Sequence, residues 1–132
     1  MTLQIPPNCD LTLGVVCVDK ATPGLSVWTM RCDERFSNPA GVAQGGFLTA
    51  LADSAMGSSV VTAASPRKVH VANMEVKTSF IRPARTGSLL TCTAQVTRAG
   101  RVVTFAQARI VDEKNCLIAT AQSTYLVKDR TE

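Results

Sequence analysis

Asp53 is the single ionisable side chain in residues 36–61, FSNPAGVAQGGFLTALADSAMGSSVV, and Leu51, Ala52, Ala55 and Met56 surround it. Aspartate is a poor helix-interior residue, and burying its charge without a partner costs on the order of several kcal/mol. A carboxylate placed there could serve as a nucleophile or as a general base. Gln44-Gly45-Gly46 opens the same run. The free N–H groups and dipole of a helix start favour a developing negative charge, and glycine lets a ligand approach closely. A carboxylate and an oxyanion-type donor near one cavity make up half of an acyl-transfer site. The competing reading is plain: Gln44, Thr49, Asp53 and Gly57 form a polar stripe turned to water. The helix alone leaves both readings open.

Other chemistry is poorly supplied. His70, the only histidine, falls at the start of an expected strand, so any Ser-His-Asp or Cys-His site within one chain would have to use it. A partly exposed strand residue is the simpler account. Cys9, Cys17, Cys32, Cys92 and Cys116 are widely spaced with no C-x-x-C, which suggests neither a metal site nor a redox dithiol. They fit reduced thiols, mostly at core-like strand positions. No dinucleotide or P-loop glycine motif is present.

The elements that must position Asp53 follow from pattern. At 132 residues the length fits one domain able to bury a core unaided, and 45% hydrophobic with 18% charged residues is an ordinary globular balance. Leu11 to Asp19 and Gly24 to Cys32 read as a strand hairpin turning at Ala21-Thr22-Pro23-Gly24. Asp33 to Ala43 is a loop by composition, and Gly45 to Ala63 carries apolar residues at helix period before Ser65-Pro66 stops it. Period two then returns, with Met74, Val76, Thr78 and Phe80 on one face and Glu75, Lys77 and Ser79 on the other. Gly87 to Thr97, Arg101 to Asp112 and Cys116 to Lys128 complete four strands expected as a meander. Ala106, Ala108 and Ile110, and Ala119, Ala121 and Ser123, offer small faces that a helix can approach. The expected fold is α+β, an antiparallel sheet curled around one long helix.

The net charge is +4, from 14 basic and 10 acidic residues, without the basic block of a nucleic-acid tail. Neither a secretory signal nor a membrane-length apolar run is present, so a soluble, cytoplasmic protein with no nucleic-acid or membrane partner is expected. Arg82, Arg85, Arg98 and Arg101 suit a small anionic ligand or solvated strand ends.

N-P-A-G-V-A-Q-G-G-F-L-T-A-L-A-D-S-A resembles the N-x-x-G-x-x-H-G-G-x-x-x-x-L-x-D motif of hotdog-fold acyl-CoA thioesterases. The similarity is to the phenylacetate-pathway, Arthrobacter-type 4-hydroxybenzoyl-CoA and thioesterase-superfamily-member-2 types. N-M-E-V-K-T-S-F-I-R-P-A, R-A-G-R and A-T-A-Q-S-T-Y-L-V extend it from about Leu11 to Lys128. The resemblance implies a six-stranded antiparallel sheet wrapped on the helix, with subunits pairing near Val69 to Phe80 into a homodimer and then a homotetramer.

It further implies hydrolysis of an acyl-CoA or aryl-CoA thioester, with coenzyme A as part of the substrate and no separate cofactor or metal. Asp53 takes the carboxylate position, as nucleophile or base, and the Gly45 N–H polarises the thioester carbonyl. Asn38 orients thioester or water, and Asn73 falls where relatives often carry Ser or Thr near the water. Gln44, in place of a frequent His, and Gly46 adjoin the substrate. Each site would pair Asp53 with Gly45 and Asn38 of a second copy. Arg82, Arg85, Arg98 and Arg101 are candidates for the coenzyme A phosphates. Phe47, Met56, Met74 and Phe80 would line an acyl pocket or simply fill the core. A non-catalytic acyl-CoA-binding protein is the alternative; hydration of acyl thioesters would call for a histidine near the aspartate.

Overall fold

A computed structural model of the chain describes residues 3–131. Its elements are α1 (Asn8–Leu13), β1 (Val16–Asp19), β2 (Leu25–Arg31), a 3-10 turn at Glu34–Phe36, α2 (Gly45–Ala63), β3 (Val69–Phe80), β4 (Leu89–Ala99), β5 (Val103–Val111) and β6 (Leu117–Asp129). Helix α2 starts where the sequence places it because Gln44 is extended and its side-chain Oε1 accepts the Gly46 N–H at 2.8 Å. It ends just ahead of Ser65-Pro66, since a residue before proline is driven away from helical angles. Leu48, Leu51, Ala52, Ala55, Met56, Ser59 and Val60 are all buried, so α2 is enclosed on more than one narrow stripe.

The six strands form one antiparallel sheet in the order β1-β2-β4-β5-β6-β3. The expected four-strand meander is therefore only three strands long. One side of β4 is taken by β2 over the register Leu25↔Gln95 to Arg31↔Leu89, so β3 closes the far edge on β6 instead. Wrapping the helix from both sides overrides the preference for sequential neighbours.

The small residues let the sheet close on the helix as their pattern implies. Ala94, Ala106, Ala108, Ala119 and Ala121 are all at most 3% exposed. Ser26 Oγ and Ser59 Oγ meet at 2.8 Å between β2 and α2, and Ser59 Oγ also lies 3.1 Å from Ala94 O. These bonds satisfy two buried hydroxyls and pin the helix to the sheet. Ala94→Leu has no space to occupy and should cost about 2 kcal/mol, read as a thermal midpoint lower by roughly 5–10 °C.

Two local expectations change. Leu11 to Leu13 belong to helix α1 rather than to a strand. Gly14, at φ +74°, stops the helix by returning its N–H to Asp10 O and Leu11 O. Asp10 is buried there and accepts the Ser54 Oγ hydroxyl at 2.7 Å, which ties α1 to α2.

The second change concerns β3. A bulge between Asn73 and Glu75 makes Met74 an extra residue, so Asn73 pairs Tyr125 and Val76 pairs Ser123. Strict alternation would turn Asn73 outward with Glu75 and Lys77. The bulge puts Asn73 on the same inward side as Val76, Thr78 and Phe80. Among the described residues no helix is long and apolar enough to cross a membrane.

Candidate functional site

Of the stripe Gln44, Thr49, Asp53 and Gly57, Gln44 is exposed, whereas Thr49, Asp53 and Gly57 are half-buried and, with Gly45, face β3 and β6. Thr49 Oγ1 donates to Thr78 Oγ1 at 2.9 Å. A Cβ on Gly57 would sit 3.8 Å from the Tyr125 ring and hydroxyl. A Cβ on Gly45 would lie only 2.7 Å from Phe80 Cζ. The four-residue helical step therefore brings 45, 49, 53 and 57 against successive residues of the two strands.

Asp53 is half-buried, and its Oδ1 accepts two hydrogen bonds, from Tyr125 O–H at 2.6 Å and from Asn73 Nδ2 at 2.9 Å. Asn73 Nδ2 also lies 3.2 Å from Ser123 Oγ. This amide orientation is dictated by chemistry, because a carboxylate oxygen needs the NH2 and not the C=O turned to it. Asn73 Oδ1 is left enclosed without a partner among the described residues. Burial pushes the Tyr125 phenol well above its ordinary value, and the hydrogen bond to Asp53 and that carboxylate's charge push it the same way.

At the helix start, the Gly46 N–H goes to the Gln44 side chain and the Phe47 N–H to Gln44 O at 3.0 Å. The Gly45 N–H precedes the first intrahelical bond and has no partner among the described residues. It adjoins a groove of about 570 Å³ walled by Val42, Leu48, Phe80, Ile81 and Arg82. Gln44 and Gly46 thus cap each other beside this groove.

The remaining residues singled out from sequence are placed as follows. Asn38 builds its own loop, Oδ1 accepting the Ala40 N–H at 2.9 Å and the Val42 N–H at 3.3 Å, and makes no hydrogen bond to Asp53 of the same chain. The four arginines do not gather. Arg82 donates to Leu117 O at 3.0 Å, and the backbone of Arg85 bridges Val42, at one end of the sheet. Arg98 pairs Phe105, and Arg101 sits 3.7 Å from Asp129, at the other end. Phe47 stacks on Phe36 at 4.3 Å and Met56 is fully buried, so both are core; Phe80 lines the groove, and Met74 is exposed at the bulge.

His70 is exposed and pairs Lys128 across the strands, away from the carboxylate. Cys32 and Cys92 are buried, Cys17 partly so, while Cys9 and Cys116 are exposed. Burial lifts the Cys92 thiol to about 12, which keeps it protonated and inert.

Sequence reasoning missed Tyr125. The signal was available: Ala119, Ala121 and Ser123 mark an inward face of period two, and the next member is the only tyrosine in the chain. Asp10 was missed as well, and it is more deeply buried than Asp53.

The chain as a whole is similar to known proteins. The sequence model described as thioesterase superfamily matches residues 40–119, which include the helix start, Asp53 and β3. An esterase of Pseudomonas aeruginosa is 30% identical over 119 residues, 90% of this chain and 87% of its own. Human acyl-coenzyme A thioesterase 13 is 23% identical over 106 residues, 80% of this chain and 74% of its own. The Escherichia coli PaaI protein from the phenylacetic acid degradation operon superposes with a TM-score of 0.85 at 24% identity, over 92% of this chain and 84% of its own. The fold is therefore the hotdog arrangement that the helix motif implied, and with the family model spanning both the carboxylate and the helix start, the chain belongs to the thioesterase superfamily.

Proposed function

We propose that the protein hydrolyses an acyl-CoA or aryl-CoA thioester to the free acid and coenzyme A, the latter being part of the substrate rather than a resident cofactor. The observation that carries this reading is Asp53, a half-buried helix carboxylate held through one oxygen by Tyr125 and Asn73, in a chain of the thioesterase superfamily. The acyl-coenzyme A thioesterase name of a 23% identical relative supports the substrate class.

The chemistry needs a group that activates water or attacks directly, and a donor for the oxyanion that forms as the carbonyl is attacked. Asp53 supplies the first. The unpaired Gly45 N–H supplies the second, with Arg82 on the wall of the same groove as a candidate for coenzyme A phosphate. Asn73 holds the carboxylate from the β3 side through its Nδ2.

One chain cannot apply both groups to one carbonyl. Gly45 and Asp53 are eight residues apart on one helix, about 12 Å at roughly 1.5 Å per residue, whereas each must come within about 3 Å of the reacting centre. A second copy must bring its Gly45 and Asn38 to this Asp53. The β3 edge supports that assembly, because it is a 12-residue unpaired edge with Met74, Phe80 and Ile81 exposed along it. Two such dimers would pair into the proposed tetramer.

The test is thiol release across short, medium, long, phenylacetyl and hydroxybenzoyl CoA thioesters, with thermal unfolding in coenzyme A run in parallel. Thiol release from at least one thioester is expected, and its acyl preference defines the substrate. Stabilisation by coenzyme A without any release would replace hydrolysis with binding alone.

A further inference from the structure

We infer that Tyr125 is a positioning residue of this site: its hydroxyl, with the Asn73 amide, fixes Asp53 by Oδ1 so that Oδ2 is the oxygen presented to water or the thioester. This rests on the proposed role of Asp53. The family resemblance spans this part of β6 but assigns Tyr125 no role; the role rests on the contacts of its hydroxyl.

Three observations carry it. First, the contact is short: at 2.6 Å it lies in the range of a charge-assisted O–H···O⁻ bond, closer than the 3.0 Å from the same hydroxyl to Asp53 backbone O. Second, the donors converge on one oxygen. Tyr125 and Asn73 both reach Oδ1, and no hydrogen bond to Oδ2 is found among the described residues. A carboxylate bound so unevenly has one oxygen neutralised by donors and one left basic, which suits a base or nucleophile. Third, Tyr125 itself has no freedom to drift. It is 2% exposed, its ring rests against Gly57, and its strand neighbours on the inward face are Ser123 and Val127, both buried. The groups facing its hydroxyl are Asp53 from α2, Asn73 from β3 and Ser123 from β6, and of these only Asp53 carries charge.

A purely structural tyrosine would look similar in one respect, because its bond to the backbone of α2 also fastens helix to sheet. The two roles separate in solution. Tyr125→Phe keeps the ring and removes only the hydroxyl. If Tyr125 positions the carboxylate, kcat falls about 10-fold to 100-fold with KM changed by less than about 2-fold, as expected for loss of orientation at the reacting centre. A Tyr125→Phe protein that melts earlier but retains wild-type kcat overturns the proposal.

A second measurement does not depend on turnover or on that variant folding. Because Tyr125 is the only tyrosine, a single ¹³Cζ resonance reports this hydroxyl alone. Replacing the carboxylate acceptor with an amide in Asp53→Asn should move that resonance at neutral pH, where the phenol is protonated in both proteins; an unmoved resonance would overturn the contact. Wild-type thiol release with an inactive Asp53→Asn and a fully active Tyr125→Phe would reject the positioning role while leaving hydrolysis intact. Absence of thiol release from the wild type would overturn hydrolysis and the positioning role with it, even where the resonance confirms the hydrogen bond.

Discussion

Asp53→Asn should lower kcat for thioester hydrolysis by about 10³-fold while the protein melts within a few degrees of the wild type. The substitution is close to isosteric. An amide Oδ1 can still accept from Tyr125 O–H and Asn73 Nδ2, so the hydrogen bonds that now hold the carboxylate are largely kept. What disappears is the basic, anionic Oδ2. Asp53→Ala makes a useful contrast. It removes the acceptor and leaves the buried Asn73 amide short of a partner, which should cost about 1–3 kcal/mol on top of the lost activity. An Asp53→Asn protein with undiminished thiol release would remove the carboxylate from the mechanism. One turnover in ¹⁸O-labelled water, followed by mass spectrometry, tests for the nucleophilic role. Label in the Asp53 peptide marks a nucleophile whose anhydride is opened at the Asp53 carbon, and label confined to the product acid marks water attack at the acyl carbon.

Much of this site could be read before any coordinates. The span of α2 followed from a Gly-Gly start, a helix period and the Ser65-Pro66 stop, all local signals. Asp53 stood out because a lone charge in an apolar run needs a reason. The reason itself was hidden in long-range register. Whether Thr49, Asp53 and Gly57 faced water or protein depended on which strand lies opposite, and sequential pairing would have put β3 beside β4 rather than β6. The meeting of Asn73 with Asp53 depended further on one inserted residue, Met74. A bulge shifts the inward face by a single position and leaves no mark in composition. Asn73 was singled out through a motif, whereas plain alternation would have sent it outward. Tyr125 was visible as the continuation of Ala119, Ala121 and Ser123, but an aromatic on an inward face reads as core until its hydroxyl is seen to need a partner. The α1 helix is only six residues long, too short for a period to declare itself, and its stop rests on the left-handed Gly14.

Gly45→Ala should lower kcat/KM by about 10²-fold to 10³-fold, the scale of losing one oxyanion donor, with little change in stability. The added Cβ would lie 2.7 Å from Phe80 Cζ and 3.0 and 3.1 Å from its two Cε atoms. Those atoms are the far end of a flexible side chain, so the ring can turn aside and the fold of the chain survives. Gly45 is not among the residues with positive φ, and alanine adopts its backbone conformation without strain. The damage is confined to the groove: a methyl and a displaced aromatic ring occupy the space through which a carbonyl must reach the Gly45 N–H. Restoring that space should restore part of the activity, so Gly45→Ala with Phe80→Ala is expected to be about 10-fold more active than Gly45→Ala alone. Full activity in the single variant would mean that the carbonyl does not approach this N–H. Loss without rescue, in a double variant that keeps the wild-type oligomeric state by light scattering, would mean that the methyl itself, and not the ring, blocks the approach. Gly46→Ala gives the control, since its Cβ would meet Gln44 Oε1 at 2.7 Å and break the helix cap. That change should act first on stability, by about 0.5–2 kcal/mol, because the donor it disturbs is spent on Gln44 rather than held for substrate.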